Sequence, residues 1–450
     1  MKKKTGFAML TAQDQDPAGS KRLELEPIAL AALEAGQMLL STGAKAGVVR
    51  QGMTMIARGL GADLTDIRVG FASIAVTVGS GSHTITRMLG VGAHGVNMRL
   101  NHALRKVCVR VSRGGMTPKE AVAALKAQGR ATPRYHPLLV CLAAGIACAA
   151  FGELLGTDSQ AFLPVLAAGT LGQWIRLRLR SHDVNSFVMT ALVAFVSSAF
   201  AGLLAPTLGS TTVAIAMSAA VLMLVPGVPA INAQSDIMEG FPTLGSARAV
   251  SVAMVLVFLT VGVGTTRLLL GNTDLVVRAL HYGILHQTIY GAIAAAGFGV
   301  LFNFGYANLV CAGVAGAIAL GVRSVGLEAG WTLEAASFCA AIAVALVVEL
   351  VGLMPVRICQ AGKALAVAGC IPMIPGSAAA QWIFGLFTLT SHLDAAGSGE
   401  LLMIVIQSGL RVIFTIGAIG AALTIVTSLF RRPEFPVDEV KAAPQPAGRG

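Results

Sequence analysis

Beyond Pro137 the chain is a series of apolar runs, each 17 to 30 residues long, parted by short polar breaks and continuing to Phe430. A hydrocarbon core about 30 Å thick takes about 20 apolar residues as a helix, so runs of this length read as membrane spans. Lipid offers backbone N–H and C=O groups no partner, so each run must close its own hydrogen bonds as a helix. The spans are expected at 138–156, 161–177, 186–205, 210–226, 246–267, 285–304, 307–323, 335–353, 364–384 and 401–430. Several are short for a full crossing. A 450-residue chain that is 55% hydrophobic and 12% charged, with mean hydropathy +0.74, is excluded from the soluble globular class. The fold class is a polytopic α-helical membrane protein with about ten transmembrane helices.

Two of these runs are broken alike. The fourth ends in Leu224-Val-Pro226-Gly227-Val-Pro229, where a proline stops one helix, a glycine lets the backbone turn, and Pro229 suits the first position of the next. If that helix runs over 230–240, Asn232, Asp236 and Glu239 share one face, being spaced i, i+4 and i+7. A polar stripe at membrane depth must line a cavity or be buried in protein. The ninth run carries Ile374-Pro375-Gly376-Ser377, 149 positions after the first break. Two ordinary turns would be the plain reading, but breaks at matching places in two halves point to a binding site between repeats. Ala150-Phe-Gly152 resembles Gly297-Phe-Gly299, and Gly169-x-x-Gly172 matches Gly313-x-x-Gly316. Five spans per half is an odd number, so consecutive halves enter from opposite sides and form a 5+5 inverted repeat. The expected divisions are a disordered leader (1–24), a domain (25–136), two repeats (137–268 and 285–430) and a disordered tail (431–450).

Net charge is +11, and most Lys and Arg lie before His136. With the N-terminus inside, Arg176, Arg178, Arg180, Arg357, Lys363, Arg431 and Arg432 fall on the cytoplasmic side, against Arg267, Arg278 and Arg323 outside. The first residues are basic, but only about five apolar residues follow, short of a signal peptide's h-region. Both termini are therefore expected in the cytoplasm. Basic residues are spread out and not interleaved with aromatics, which speaks against nucleic acid. The seven cysteines lack a CxxC pair and read as small buried hydrophobes rather than disulfides or metal ligands.

Residues 25–130 read as a small α+β cytoplasmic domain. Helices are expected at 27–40, 48–60, 97–112 and 118–128, the last opened by the capping box Thr117-Pro-Lys-Glu120. Residues 66–78 and 84–89 read as a hairpin. Gly79-Ser-Gly-Ser-His83 is a plain turn, without the lysine of a phosphate loop or the setting of a nucleophile elbow. The basic helix 97–112 reads as a solvated face, with anionic headgroups the other reading. His83, His94, His102 and His136 have no ligand spacing.

Pro226-Gly-x-Pro229-x-x-Asn232-Ala-x-x-Asp236-x-x-x-Gly240-x-x-x-x-Gly245-x-x-Arg248 resembles the signature of the threonine/serine exporter family. Gly36-x-x-Leu39-Leu40-x-x-Gly43 is similar to that family's first cytoplasmic helix, and the second half fits through Leu301-Phe-Asn303, Arg323, Glu349 and Ile374-Pro-Gly-Ser377. The resemblance covers about 26–430. It implies a bacterial inner-membrane exporter of small polar metabolites, driven by the proton motive force. Related two-subunit systems look like dicarboxylate exporters, and this chain fuses their halves.

A zwitterion needs a cation for its carboxylate and an anion for its ammonium. Arg248 and Arg411, with the helix N-termini after Pro226-Gly227 and Pro375-Gly376-Ser377, are candidates for the carboxylate. Asp236, assisted by Asn232, is the candidate for the ammonium or the exchanged proton, with Glu239 and Glu349 behind it. Burial disfavours a charged carboxylate, which equips such an acid to trade a proton for substrate. Asp236 and Arg248 pairing as an internal salt bridge, Arg411 snorkelling to an interface, and Glu153 sitting at a span end in water are the structural alternatives. Two arginines suit a dicarboxylate at least as well as a zwitterion. A membrane-tethered enzyme is the reading of another class, opposed by the lack of a nucleophile–base or metal constellation in 1–136. No cofactor is expected; the expected partners are substrate, protons and the bilayer, and a homo-oligomer is left open.

Overall fold

The computed structural model describes residues 17–92, 94–271, 282–352, 362–391, 398–430 and 433–436. The N-terminal domain packs four helices, α1 (Pro17–Ser41), α2 (Ala46–Gly59), α3 (Met98–Ser112) and α4 (Pro118–Ala131), around a three-stranded antiparallel sheet. Its strands β1 (Leu64–Val69), β2 (Ser73–Ser80) and β3 (His83–Gly90) lie in sequence order. The run expected as one strand, 66–78, is two: Gly70 turns the chain, its N–H donating to Ser73 C=O at 2.9 Å. β2 buries Ile74, Val76 and Val78 on one face, the period-2 pattern of a half-covered strand. Helix α1 begins before Pro27 and passes through it, so 17–24 is helical rather than disordered leader. Proline removes one bond to the preceding turn, but Leu25 and Ile28 on either side are buried in the core and hold the helix together. The capping box at Thr117 forms as expected, and its bonds hold the exposed Glu120 carboxyl below its ordinary range.

The end of the chain returns to this domain. Phe435 is 2% exposed in its core, and Glu434 accepts from Arg105 at 3.3 Å. The tail expected to be disordered thus holds a docked segment at 433–436, because an aromatic side chain finds a closed apolar pocket there. Arg431, Arg432 and 437–450 lie outside the described residues, as do Arg278 and Arg357.

The rest is a body of helices: α5 (Pro137–Leu155), α6 (Phe162–Arg180), α7 (Ser186–Thr207), α8 (Val213–Ala219), α9 (Gly227–Met238), α10 (Pro242–Leu269), α11 (Ile284–Leu301) and α12 (Tyr306–Glu328), then α13 (Leu333–Val351), α14 (Lys363–Cys370), α15 (Gly376–Ser391) and α16 (Ser398–Phe430). Among the described residues seven are long and apolar enough to cross a membrane, or up to eight if α8 and α9, bent by 58° at their break, count as one span. This is a multi-pass helical membrane protein. The other expected spans are α6, which carries Arg176, Arg178 and Arg180 in its last turns, and the short α14 with α15.

Helix contacts recur between the two sets. Where α5 packs on α6, α6 on α7, α7 on α10 and α9 on α10, so α11 packs on α12, α12 on α13, α13 on α16 and α15 on α16. Across the sets α5 meets α11, α9 meets α16 and α10 meets α15. Small residues make these approaches close, as they do where dispersion and hydrogen bonding replace hydrophobic drive. A Cβ on Gly172 would stand 2.1 Å from Ser197 Oγ, one on Gly316 2.4 Å from Ala295, and one on Gly297 2.6 Å from Ala147. Contrary to the expectation for the cysteines, Cys311 is disulfide-bonded; Cys108, Cys141, Cys148, Cys339 and Cys370 are free. Burial pushes the Cys108 thiol up to about 12, so it stays protonated and inert.

Candidate site at the broken helices

Both breaks are built the same way. After α8 a 3-10 turn, Leu222–Leu224, leads to Val225 at φ −64°, ψ 123°, then Pro226 and α9. After α14 the turn Ile371–Met373 leads to Ile374 at φ −65°, ψ 125°, then Pro375 and α15. The proline forces its predecessor into the extended region, which ends the helix. Gly227 N–H then donates to Val225 C=O at 2.9 Å, and Gly376 N–H to Ile374 C=O at 2.8 Å. Helix α9 starts at Gly227, three residues before the expected 230, with Pro229 inside its first turn. The first-turn amides lack helical partners, so a proline is tolerated there as well as at the first position.

The breaks also touch each other. A Cβ on Gly227 would meet Ile374 at 3.1 Å and Ile371 at 3.2 Å, and one on Gly376 would meet Leu222 at 2.9 Å and Val225 at 3.5 Å. Each residue in the second contact lies 149 positions from its counterpart in the first. A contact in which i meets j and j′ meets i′ is what a two-fold axis produces.

Three signature side chains converge at the far end of α9. Asp236, fully buried, pairs with Arg248, itself 5% exposed. Both are bonded beyond the pair: Asp236 accepts from Ala46 N–H at 2.8 Å, and Arg248 Nη2 donates to Ala44 C=O at 2.9 Å. Asn232 Nδ2 donates to Gly43 C=O at 3.0 Å. A buried ion pair persists only when its remaining donors and acceptors are met, and the turn between α1 and α2 meets them. Glu239 lies at the edge, 3.3 Å from Lys45 Nζ. His94, stacked on Phe71, backs this turn; burial holds it below its ordinary value of 6.5, and the nearby Arg248 charge acts in the same direction.

The remaining expected residues lie elsewhere. Pro226, Gly227, Pro375 and Gly376 form the crossing; Ser377 opens α15, its side chain outside the described set. Glu349 is buried on α13. Arg411 is on an exposed face of α16, close enough to Arg323 for the two cations to repel, and Arg323 reaches Met373 C=O at 3.4 Å beside the second break. In place of Asn232 and Asp236 the second half carries, 149 positions on, Gln381 and Gly385.

Two features escaped sequence reasoning. Gln234 donates to Gly417 C=O at 2.9 Å, locking α9 to α16; it stands within the signature but off its polar face. Glu153 is 4% exposed and accepts from, or donates to, His286 Nε2 at 3.0 Å, between the rings of Tyr282 and Tyr290. Its partner lies 133 residues on, and no local spacing joins them.

A family model described as a threonine/serine exporter matches residues 31–269, and a second, "Threonine/Serine exporter, ThrE", matches 287–429. The chain belongs to the threonine/serine exporter family. Family membership points to a transporter of small metabolites. It is 28% identical over 234 residues to the "Probable succinate transporter subunit YjjP" of Escherichia coli (strain K12), covering 51% of this chain and 90% of that protein. The protein of the same name in Klebsiella aerogenes is 27% identical over 228 residues, 50% of this chain and 87% of its own length. No solved structure matches.

Proposed function

We propose that this exporter moves small zwitterionic amino acids, threonine and serine foremost, out of a bacterial cell across its inner membrane in exchange for protons. The observation that carries the reading is the Asp236–Arg248 pair at the end of a broken helix. One buried anion beside one buried cation complements an ammonium and a carboxylate on one small molecule. Asp236 is placed as the group that carries the proton when substrate is absent, with Glu239 and Glu349 as relays. The helix N-termini at Gly227 and Gly376, with Ser377, lie on the substrate's path, and Arg411 is the second cation, on the other half's side.

The body is read as ten crossings in a 5+5 inverted repeat, with the N-terminal domain and both termini in the cytoplasm. The recurring helix contacts and the reciprocal contact of the two breaks support that reading. So does the gathering of the N-terminal domain, the end of α11 and the segment after α16 on one side, where Met98 N–H donates to Phe302 C=O at 2.9 Å.

The relatives' names favour a second reading, a succinate-like dicarboxylate as cargo. Efflux from loaded cells, with threonine, serine and succinate compared side by side, separates the two. The amino-acid reading expects the hydroxy amino acids to leave faster than from cells lacking the protein, and succinate not to. Succinate efflux alone reverses it.

A further inference from the structure

Asn232, Asp236 and Arg248 are each bonded to the backbone of one short turn, residues 43–46. That turn offers the carboxylate an N–H, from Ala46, and the guanidinium a carbonyl, from Ala44. The ammonium and carboxylate of an α-amino acid offer the same two polarities to the same two side chains. A dicarboxylate offers acceptors only. We propose that the turn is an inner plug: it stands in for a zwitterionic substrate at Asp236 and Arg248, and it withdraws when an amino acid takes its place from the cytoplasmic side. This rests on the reading of Asp236 and Arg248 as the substrate site.

The plug is seated, yet held at its rim by little. Gly43, at φ +89°, lies so close to Gly95 C=O that a Cβ would stand 2.9 Å from it. Gly95 and Asn97 N–H groups donate to Ser41 and Thr42 carbonyls at 3.0 and 3.1 Å. The outer edge is closed by the Lys45–Glu239 pair, of the partly exposed kind that contributes little. Beside that pair lies a cleft of about 800 Å³ lined by Gly47, Arg50, Thr54, Arg58, Glu239 and Glu434. Open space therefore reaches Gly47, the neighbour of the residue that blocks Asp236. The second half, with Gly385 where the first has Asp236, offers no matching acid, so the plug belongs to one side.

The plug can be released without breaking the fold. Ala46 is the first residue of α2, and Lys45 before it is extended at φ −70°, ψ 158°. Proline fits such a position, and Ala46→Pro removes the N–H given to Asp236 and sets a ring carbon against the carboxylate. The test is maleimide labelling of Asn232→Cys in the detergent-solubilised full chain, with and without Ala46→Pro, read against the same chains retaining Asn232. Release of a charge-assisted hydrogen bond predicts labelling about tenfold faster with Ala46→Pro. L-threonine then slows the labelling and equal succinate does not. Unchanged labelling overturns the plug, and faster labelling protected by neither solute, or equally by both, overturns the stand-in. Protection by threonine in a protein that exports none would leave this inference intact and refute the transport reading instead.

Discussion

Asp236 neutralises a buried guanidinium and, on the proposed reading, meets substrate or proton, and the two roles separate by mutation. Asp236→Asn leaves Arg248 buried without its counter-charge, a change that typically destabilises by about 3–5 kcal/mol. Replacing both, as Asp236→Asn with Arg248→Met, relieves that penalty. The expected outcome is a lower melting temperature for the single variant, recovery in the double, and no proton-driven efflux from either. Efflux at the parent rate by the double variant would leave the pair a structural bridge only. Arg411 stands 13 residues into α16, about 20 Å along its axis, in a helix with no other charge after Glu400. An arginine at such depth costs about 2.5–3.5 kcal/mol even on the gentler insertion scale. If it binds a carboxylate as a fork, Arg411→Lys lowers transport severely at matched membrane levels. If it only snorkels, the lysine variant transports normally and Arg411 leaves the site.

The two breaks act as one element, and their glycines are where that shows. Gly227→Val drives a side chain into Ile374 and Ile371, across the crossing from its own half. Transport should fall, and Ile374→Ala in the same chain should recover part of it by returning the space. The mirror pair, Gly376→Val with Leu222→Ala, should behave alike if the crossing is two-fold. Behind the plug, His94 gives the N-terminal domain a pH dependence. Its folded value is depressed below 6.5, so below about pH 6.5 the unfolded chain binds the proton more readily and stability is lost as pH falls. Thermal melts of the full chain from pH 7.5 to 5 should show that loss, reduced in His94→Gln.

For the whole molecule, what was legible was whatever depends on local pattern. Apolar run length located the helices of the body, though α12 runs on to Glu328 and α15 to Ser391, past the expected 323 and 384, and Pro-Gly spacing located both breaks. The double proline misplaced only the start of α9, because proline is tolerated through the whole first turn. Composition could not find the pocket that takes Phe435, since the partner surface is assembled from helices more than 300 residues away. For the same reason Glu153 read as a span end until His286 met it. Gly43 belongs to the helix motif that resembles the family's; that its turn bonds Asn232, Asp236 and Arg248 is a long-range fact no spacing encodes.

On the proposed reading a proton gradient drives a zwitterion through the Asp236–Arg248 site. Purified full-length protein in liposomes, with a pH gradient imposed and labelled L-threonine or succinate inside, tests it directly. The expected result is threonine movement that follows the gradient, collapses with a protonophore and is abolished by Asp236→Asn, with succinate retained. Succinate movement without threonine movement, or threonine movement indifferent to the gradient and to Asp236→Asn, would contradict it.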